Sequence, residues 1–409
     1  MDDARADWQH LRDQLVEGLQ QAGHVSSERV TAAIRAVPRH VFVPCIEPER
    51  AYRDEAFPIK YDEGGLPVSS SSQPAIMARM LDQLDVQPGQ RVLEIGTGSG
   101  YNAALLGHLV GETGTVVSVD IDADLVTDAR ERLAACGVSQ VTVGRGDGGL
   151  GWSEHAPYDR IIATVGAWDI SPAWVAQLAP QGRLVLPLDL RGPQRSIAFQ
   201  PIDNHLESVS VVFCGFMRIR GAFAGPESIH QLGPERGVLL GLAEQHPIDA
   251  DSLYAALAQP GVDVPSGVRV TLNDARHGLG LWLALHEPAI AGLSAIGAAA
   301  NHGLVPALIE YPGRGIATVA LLGTDSLAAL VPLGEEQPFE LGARPLGPKG
   351  DRMAQRLIRH IRDWDTQGRP GTTGLHVSAY PRHTGHVAIA DTDSIIEKRY
   401  TRLALTWAP

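Results

Sequence analysis

Three glycines at alternate positions, Gly96, Gly98 and Gly100, join an apolar run, Val92-Leu-Glu-Ile95, to a helical pattern that opens at Tyr101. Such a strand-to-helix turn brings backbone close to a ligand at the carboxyl end of a strand, where open α/β sheets bind cofactors. The dinucleotide fingerprint needs glycine at its sixth position; Tyr101 stands there instead, which counts against NAD or FAD. About twenty residues past the glycines, Asp120 closes the run Ser118-Val-Asp120 and is placed to take both ribose hydroxyls of a nucleoside. One strand later, Gly146-Asp147-Gly148 sets a carboxylate at a third strand end, in reach of an exocyclic amine such as that of adenine. Acidic side chains and glycines, with no Lys or Arg inside the loop, suit a cationic nucleoside better than a polyphosphate. S-adenosylmethionine is that ligand.

The elements that must position these residues alternate between strand and helix. Short apolar runs at 92–95, 115–119, 141–143, 160–163 and 183–187 are separated by helical patterns at 101–110, 123–136 and around 172–178. That alternation predicts a mostly parallel sheet covered on both faces. Two period-2 runs, 196–200 and 206–213, follow with no helix between them and read as antiparallel additions at the sheet edge. Upstream, amphipathic helices are expected over 8–22 and 27–36, and Pro74 suits the first turn of another over 75–84, so Ser72 falls where a loop enters a helix.

The chain has 409 residues, more than one domain usually holds, and a boundary is expected near residue 225: a cofactor domain over 1–225 and an α+β accessory domain over 226–409. The net charge is −13 and only Lys60, Lys349 and Lys398 are lysines, so no polybasic tract exists for nucleic acid. Cys45, Cys136 and Cys214 lie far apart without a C-x-x-C spacing, which argues against a disulfide framework or a zinc ribbon and for a reduced, cytoplasmic setting. No run is apolar enough to span a membrane. His383-x-x-His386 and His302 lack Cys partners or an acidic pair, so no metal is expected. Trp282, Trp364, Tyr380 and Trp407 read as core rather than as a peptide groove.

The segments Val37-Pro-Arg-His-Val-Phe-Val-Pro44, Ala51-Tyr-Arg-Asp54, Ser72-Gln-Pro74, Val92 to Asn102, Gly146-Asp-Gly148 and Tyr158 to Thr164 together resemble the protein-L-isoaspartate O-methyltransferase family, in family order over roughly residues 10–225. The resemblance implies a Rossmann-like class I methyltransferase domain that uses S-adenosylmethionine, leaves S-adenosyl-L-homocysteine and methylates a carboxylate. Ser72 matches the serine that hydrogen-bonds the acceptor carboxylate in that family, and Ser70 stands where members commonly have threonine. The implied cofactor contacts are Glu94, Gly96, Thr97, Gly98, Ser99, Asp120, Asp147 and Gly148.

The region beyond 225 departs from the usual length of the family. It resembles extended members that methylate an aspartate of a macrocyclised ribosomal peptide, of the lanthipeptide or graspetide type. The expected partner is therefore such a peptide, recognised by the domain over 226–409 and carried through its aspartyl methyl ester to a succinimide (aspartimide), with general isoaspartate repair as the alternative. A non-catalytic peptide-binding protein is the alternative of another class, opposed by the intact glycine loop, Asp120, Asp147 and Ser72.

Overall fold

The computed structural model describes residues 2–234, 237–311, 315–383 and 394–407. Two units emerge. One comprises Met1–Asp189, Gln194–Gly225 and His376–Ala404; the other comprises Leu190–Pro193, Pro226–Leu375 and Leu405–Pro409.

The first unit is built on strands β3 (Arg91–Ile95), β4 (Thr115–Asp120), β5 (Val141–Arg145), β6 (Tyr158–Ala163) and β7 (Leu178–Asp189), preceded by a hairpin of β1 (Phe57–Tyr61) and β2 (Pro67–Ser71). Strand β3 lies between β4 and β6 in parallel register on both sides. Chain order reverses at β3, and at such a switch point a crevice opens beyond the strand's carboxyl end. Val92 and Leu93 are fully buried, as is nearly all of the helix Tyr101–Val110 that follows the loop, so the turn between them is clamped by core on both sides.

Strands β8 (Gln194–Ile202) and β9 (His205–Cys214) add on antiparallel, as expected, but they are not the edge. The chain comes back: Ser378 pairs with Glu207 and Ala379 with Leu206, and the ten-stranded sheet runs Ser394–Glu397, Thr401–Trp407, Leu375–Pro381, β9, β8, β7, β6, β3, β4, β5. An accessory domain running unbroken from 226 to 409 is therefore not what the chain forms. The physical reason is the open edge of β9, whose N–H and C=O groups need a partner. The returning segment supplies side-chain anchors as well. Glu207 accepts from His376 Nε2 at 2.5 Å and Ser378 Oγ at 2.8 Å, and buried Asp169 accepts from Tyr400 N at 2.7 Å and Thr401 Oγ at 2.6 Å.

The second unit holds an antiparallel sheet ordered Ser228–Gln231, Val238–Leu242, Ile290–Ile296, Gly315–Leu322, Leu327–Leu333, Phe339–Leu346, Val264–Val270, with Ile309–Tyr311 paired to Gly315–Leu322. The helix Gly350–Thr366 packs Ala354, Leu357, Ile358, Ile361 and Trp364 into its core, a helical stripe that matches the expected α+β class. Trp364 belongs to that core; Trp282 is half-buried against it.

Among the described residues no helix is long and apolar enough to cross a membrane, and no cluster of three or more His, Cys, Asp or Glu could hold a metal ion. His386 lies outside the described residues.

Candidate active site

The glycine loop leaves β3 in a conformation that side chains resist. Gly96 has φ +100°, and a Cβ there would lie 2.8 Å from Thr164 Oγ and 2.9 Å from Val165 Cγ1. Thr164 grips the loop by donating to Gly96 O at 2.6 Å. At Gly98, φ is +52° and its N–H donates to Asp120 Oδ2 at 2.9 Å, while the carbonyl of Ser70 and the hydroxyl of Ser69 stand opposite its Cα. The hairpin of β1 and β2 thus closes over the loop.

Directly beneath, Glu94 is fully buried. It accepts from Asn102 Nδ2 at 2.7 Å and from Ser118 Oγ at 2.5 Å, and Thr97 Oγ lies 2.7 Å from Ser118 Oγ. Burial pushes its carboxyl up to about 7; the Ser118 and Asn102 hydrogen bonds pull the other way and the nearby Asp120 charge adds to the rise. Glu94 therefore acts as a buried brace between the loop, the following helix and β4.

A cleft opens above this floor. Ser70, Ser72, Gly96, Thr97, Gly98, Ser99, Asp120 and Gly148 line it together. Glu94 and Asp147, expected as cofactor contacts beside them, are not among the lining residues. Asp147 turns its carboxylate onto backbone, accepting Gly149 N–H at 2.9 Å and Ala222 N–H at 2.6 Å. The opposite wall, Phe216–Arg220, carries no motif that marks it in the sequence. Gly166 fixes it through Gly166 N–H to Met217 O at 2.7 Å and Ile219 N–H to Gly166 O at 2.9 Å.

Charges gather at the rim. Lys60 of β1 lies 3.1 Å from Asp122 and 2.6 Å from Asp124, and Arg220 pairs with Asp122 as well. Burial works upward on the Asp122 carboxyl, but hydrogen bonds from Arg220 and Lys60 outweigh it and hold the group below the ordinary carboxylate range.

Residues 10–217 match the family described as protein-L-isoaspartate(D-aspartate) O-methyltransferase. The chain belongs to that family. Among similar proteins, protein-L-isoaspartate O-methyltransferase 2 of Archaeoglobus fulgidus is 41% identical over 182 residues, which is 44% of this chain and 80% of the relative. The protein-L-isoaspartate O-methyltransferase of Methanoculleus marisnigri is 39% identical over 212 residues, 52% of this chain and 92% of the relative. A solved structure of a protein-L-isoaspartate O-methyltransferase superposes with a TM-score of 0.50 at 22% identity, covering 90% of this chain and 96% of its own, which establishes a shared fold.

As a member of the protein-L-isoaspartate O-methyltransferase family, the protein is an S-adenosylmethionine-dependent carboxyl O-methyltransferase with the class I Rossmann-like fold. The residues present fit that cofactor: the loop is stripped of side chains where backbone must approach a ligand, and Asp120 sits at the strand end beside it. The family motifs also acquire physical roles. Arg39, of the Val-Pro-Arg-His segment, is fully buried and donates from Nη1 to Ala51 O and Arg53 O and from Nη2 to Glu55 O and Ser72 O, at 2.7–3.0 Å. Asp54, of the Ala-Tyr-Arg-Asp segment, accepts Gln73 Nε2 at 2.7 Å and Ala75 N–H at 2.8 Å. Neither contact leaves a local signal in the sequence that says which backbone groups the side chain will reach.

Proposed function

We propose that the protein methylates the free carboxylate of L-isoaspartyl residues in proteins or peptides, the first step of isoaspartate repair. The observation that carries this reading is one cleft lined together by Ser70, Ser72, the glycine loop and Asp120. Relatives of 39–41% identity that bear the isoaspartate name support the acceptor.

Bound S-adenosylmethionine supplies an electrophilic sulfonium methyl group. Asp120 would be the residue to hold its ribose, and the backbone from Gly96 to Ser99, with Gly148, would cradle the rest of the nucleoside. The acceptor carboxylate, with an ordinary pKa of about 4, is already ionised at neutral pH, so no general base is required. What the protein must do is orient. Ser72, with Ser70 beside it, donates O–H to one carboxylate oxygen and leaves the other free to attack; near-attack positioning of this kind is worth up to ~7–11 kcal/mol. Hydroxyls hold an anion without pairing with it as strongly as an ammonium would, so nucleophilicity is kept. The ester so formed carries a better leaving group than the acid. The next residue's backbone nitrogen can then close a five-membered succinimide and expel methanol, and water reopens the ring at either carbonyl.

A macrocyclised ribosomal peptide as acceptor has only the long extension in its favour. A solved protein-L-isoaspartate O-methyltransferase fold covers 90% of this chain, so the extension does not favour that substrate over an isoaspartyl one. Incubation with methyl-labelled cofactor and an isoaspartyl peptide tests the proposal: a base-labile methyl ester on that peptide is the expected product, and an unlabelled peptide under conditions where the cofactor binds would refute it.

A further inference from the structure

Ser72 is tethered from two sides by residues that belong to a different segment of the chain. Its carbonyl accepts from Arg39 Nη2 at 3.0 Å, and the same guanidinium spans Ala51 O, Arg53 O and Glu55 O at 2.7–2.9 Å. The guanidinium carbon stands 5.0 Å from the Phe57 ring centroid and 5.9 Å from that of Tyr101. Four carbonyls around one planar fork make a rigid joint, because guanidinium donors point in fixed directions whereas an ammonium offers only three rotatable ones. The second tether runs through the neighbouring residue. Asp54 holds the Gln73 side chain with Oδ2 and the Ala75 N–H, at the first turn of the helix Pro74–Leu84, with Oδ1. The segment 51–55 therefore fixes both the backbone of Ser72 and the helix that starts two residues later.

We propose that Arg39 and Asp54 are positioning residues that set the Ser72 hydroxyl for the acceptor carboxylate. The inference rests on the role given to Ser72 above. A purely architectural anchor would change stability and leave turnover per folded molecule alone. A clamp acting through Ser72 lowers turnover, spares cofactor affinity, and loses its effect once the hydroxyl is gone.

Asp54 is exposed, so Asp54→Ala leaves the core intact and serves where Arg39→Lys fails to fold. The experiment measures kcat and KM on an isoaspartyl peptide, and Kd for S-adenosylhomocysteine by calorimetry, in wild type, Arg39→Lys, Asp54→Ala, Ser72→Ala and Asp54→Ala/Ser72→Ala. Asp54→Ala should lower kcat by about tenfold, since misplacement of a positioning group by a fraction of an ångström to 1 Å costs up to ~10²-fold, with Kd for S-adenosylhomocysteine unchanged. The double variant should be no slower than Ser72→Ala alone, the signature of two residues acting as one unit. Losses that multiply in the double variant, or wild-type turnover in Asp54→Ala, overturn the clamp while leaving Ser72 in its role. Wild-type turnover in Ser72→Ala removes that role itself, and the clamp with it.

Discussion

Asp147 accepts the backbone N–H of Ala222 at 2.6 Å across 75 residues of sequence, and this contact docks the segment after β9 onto the third strand end of the sheet. Its other oxygen caps the turn at Gly149. A residue that motif spacing assigns to adenine thus spends both oxygens on backbone first.

Asp120 also accepts two backbone N–H groups, from Gly98 at 2.9 Å and Asp122 at 3.1 Å, so either substitution to Asn should destabilise the fold; of the two only Asp120 lines the cleft, and Asp120→Asn should cost the more cofactor affinity. The amide keeps one acceptor but turns a donor toward a backbone N–H, a loss of about 1–3 kcal/mol. Scanning calorimetry and titration with S-adenosylhomocysteine check both effects; a larger affinity loss in Asp147→Asn than in Asp120→Asn would show that Asp147 is the chief ligand contact of the two.

Buried Glu94 ties stability to pH. Its folded-state pKa is raised from 4.5 to about 7, so the folded chain keeps a proton that the unfolded chain has lost. The stabilisation is complete below about 4.5 and disappears as pH rises through about 7. Glu94→Gln, which cannot ionise, should gain on wild type across that window by a few kcal/mol, because each tenfold change in proton affinity is worth about 1.4 kcal/mol. Denaturant titrations of both proteins from pH 5 to pH 8 measure the difference. Parallel stability curves would mean that Glu94 is charged throughout.

The Lys60 contacts to Asp122 and Asp124 pin the hairpin to the turn and helix start that follow β4. Lys60→Met should speed S-adenosylhomocysteine release, and the salt dependence of release should flatten, because ion pairs at a solvent-facing rim are screened within about 10 Å at 0.1 M salt. Stopped-flow dissociation at low and high salt reads this out. Equal rates and equal salt slopes would leave the hairpin without an electrostatic latch.

Removing residues 376–409 should damage the methyltransferase unit itself. Val377, Ala379, Ile396 and Leu403 would leave the core, and β9 would present an open edge. The truncated protein is expected to melt well below the full chain and to aggregate. A truncation that keeps the full-length melting temperature would show that the returning strands are dispensable.

Much of the site is legible in the sequence because its signals are local. Glycines at 96, 98 and 100 follow an apolar run, and carboxylates recur at successive strand ends, so a parallel sheet with Asp120 beside the loop follows from period and spacing alone. The Ser72-Gln-Pro74 segment is recognisable for the same reason. What stays hidden is long-range. Arg39 reaches Ser72 across 33 residues, Asp54 reaches Gln73 across 19, and His376 reaches Glu207 across 169, none of which leaves a periodic trace. The returning strands are themselves visible as apolar runs near 375–380 and 400–407, but nothing in their pattern says which sheet they join.

The most direct measurement sets three acceptors against one another with labelled S-adenosylmethionine: an isoaspartyl peptide, its aspartyl isomer, and a macrocyclised peptide carrying the same aspartate. Methyl ester formation on the isoaspartyl peptide, followed by methanol release and the appearance of aspartyl product, is the predicted result. Methylation of the cyclised aspartyl peptide with the isoaspartyl one untouched would contradict it.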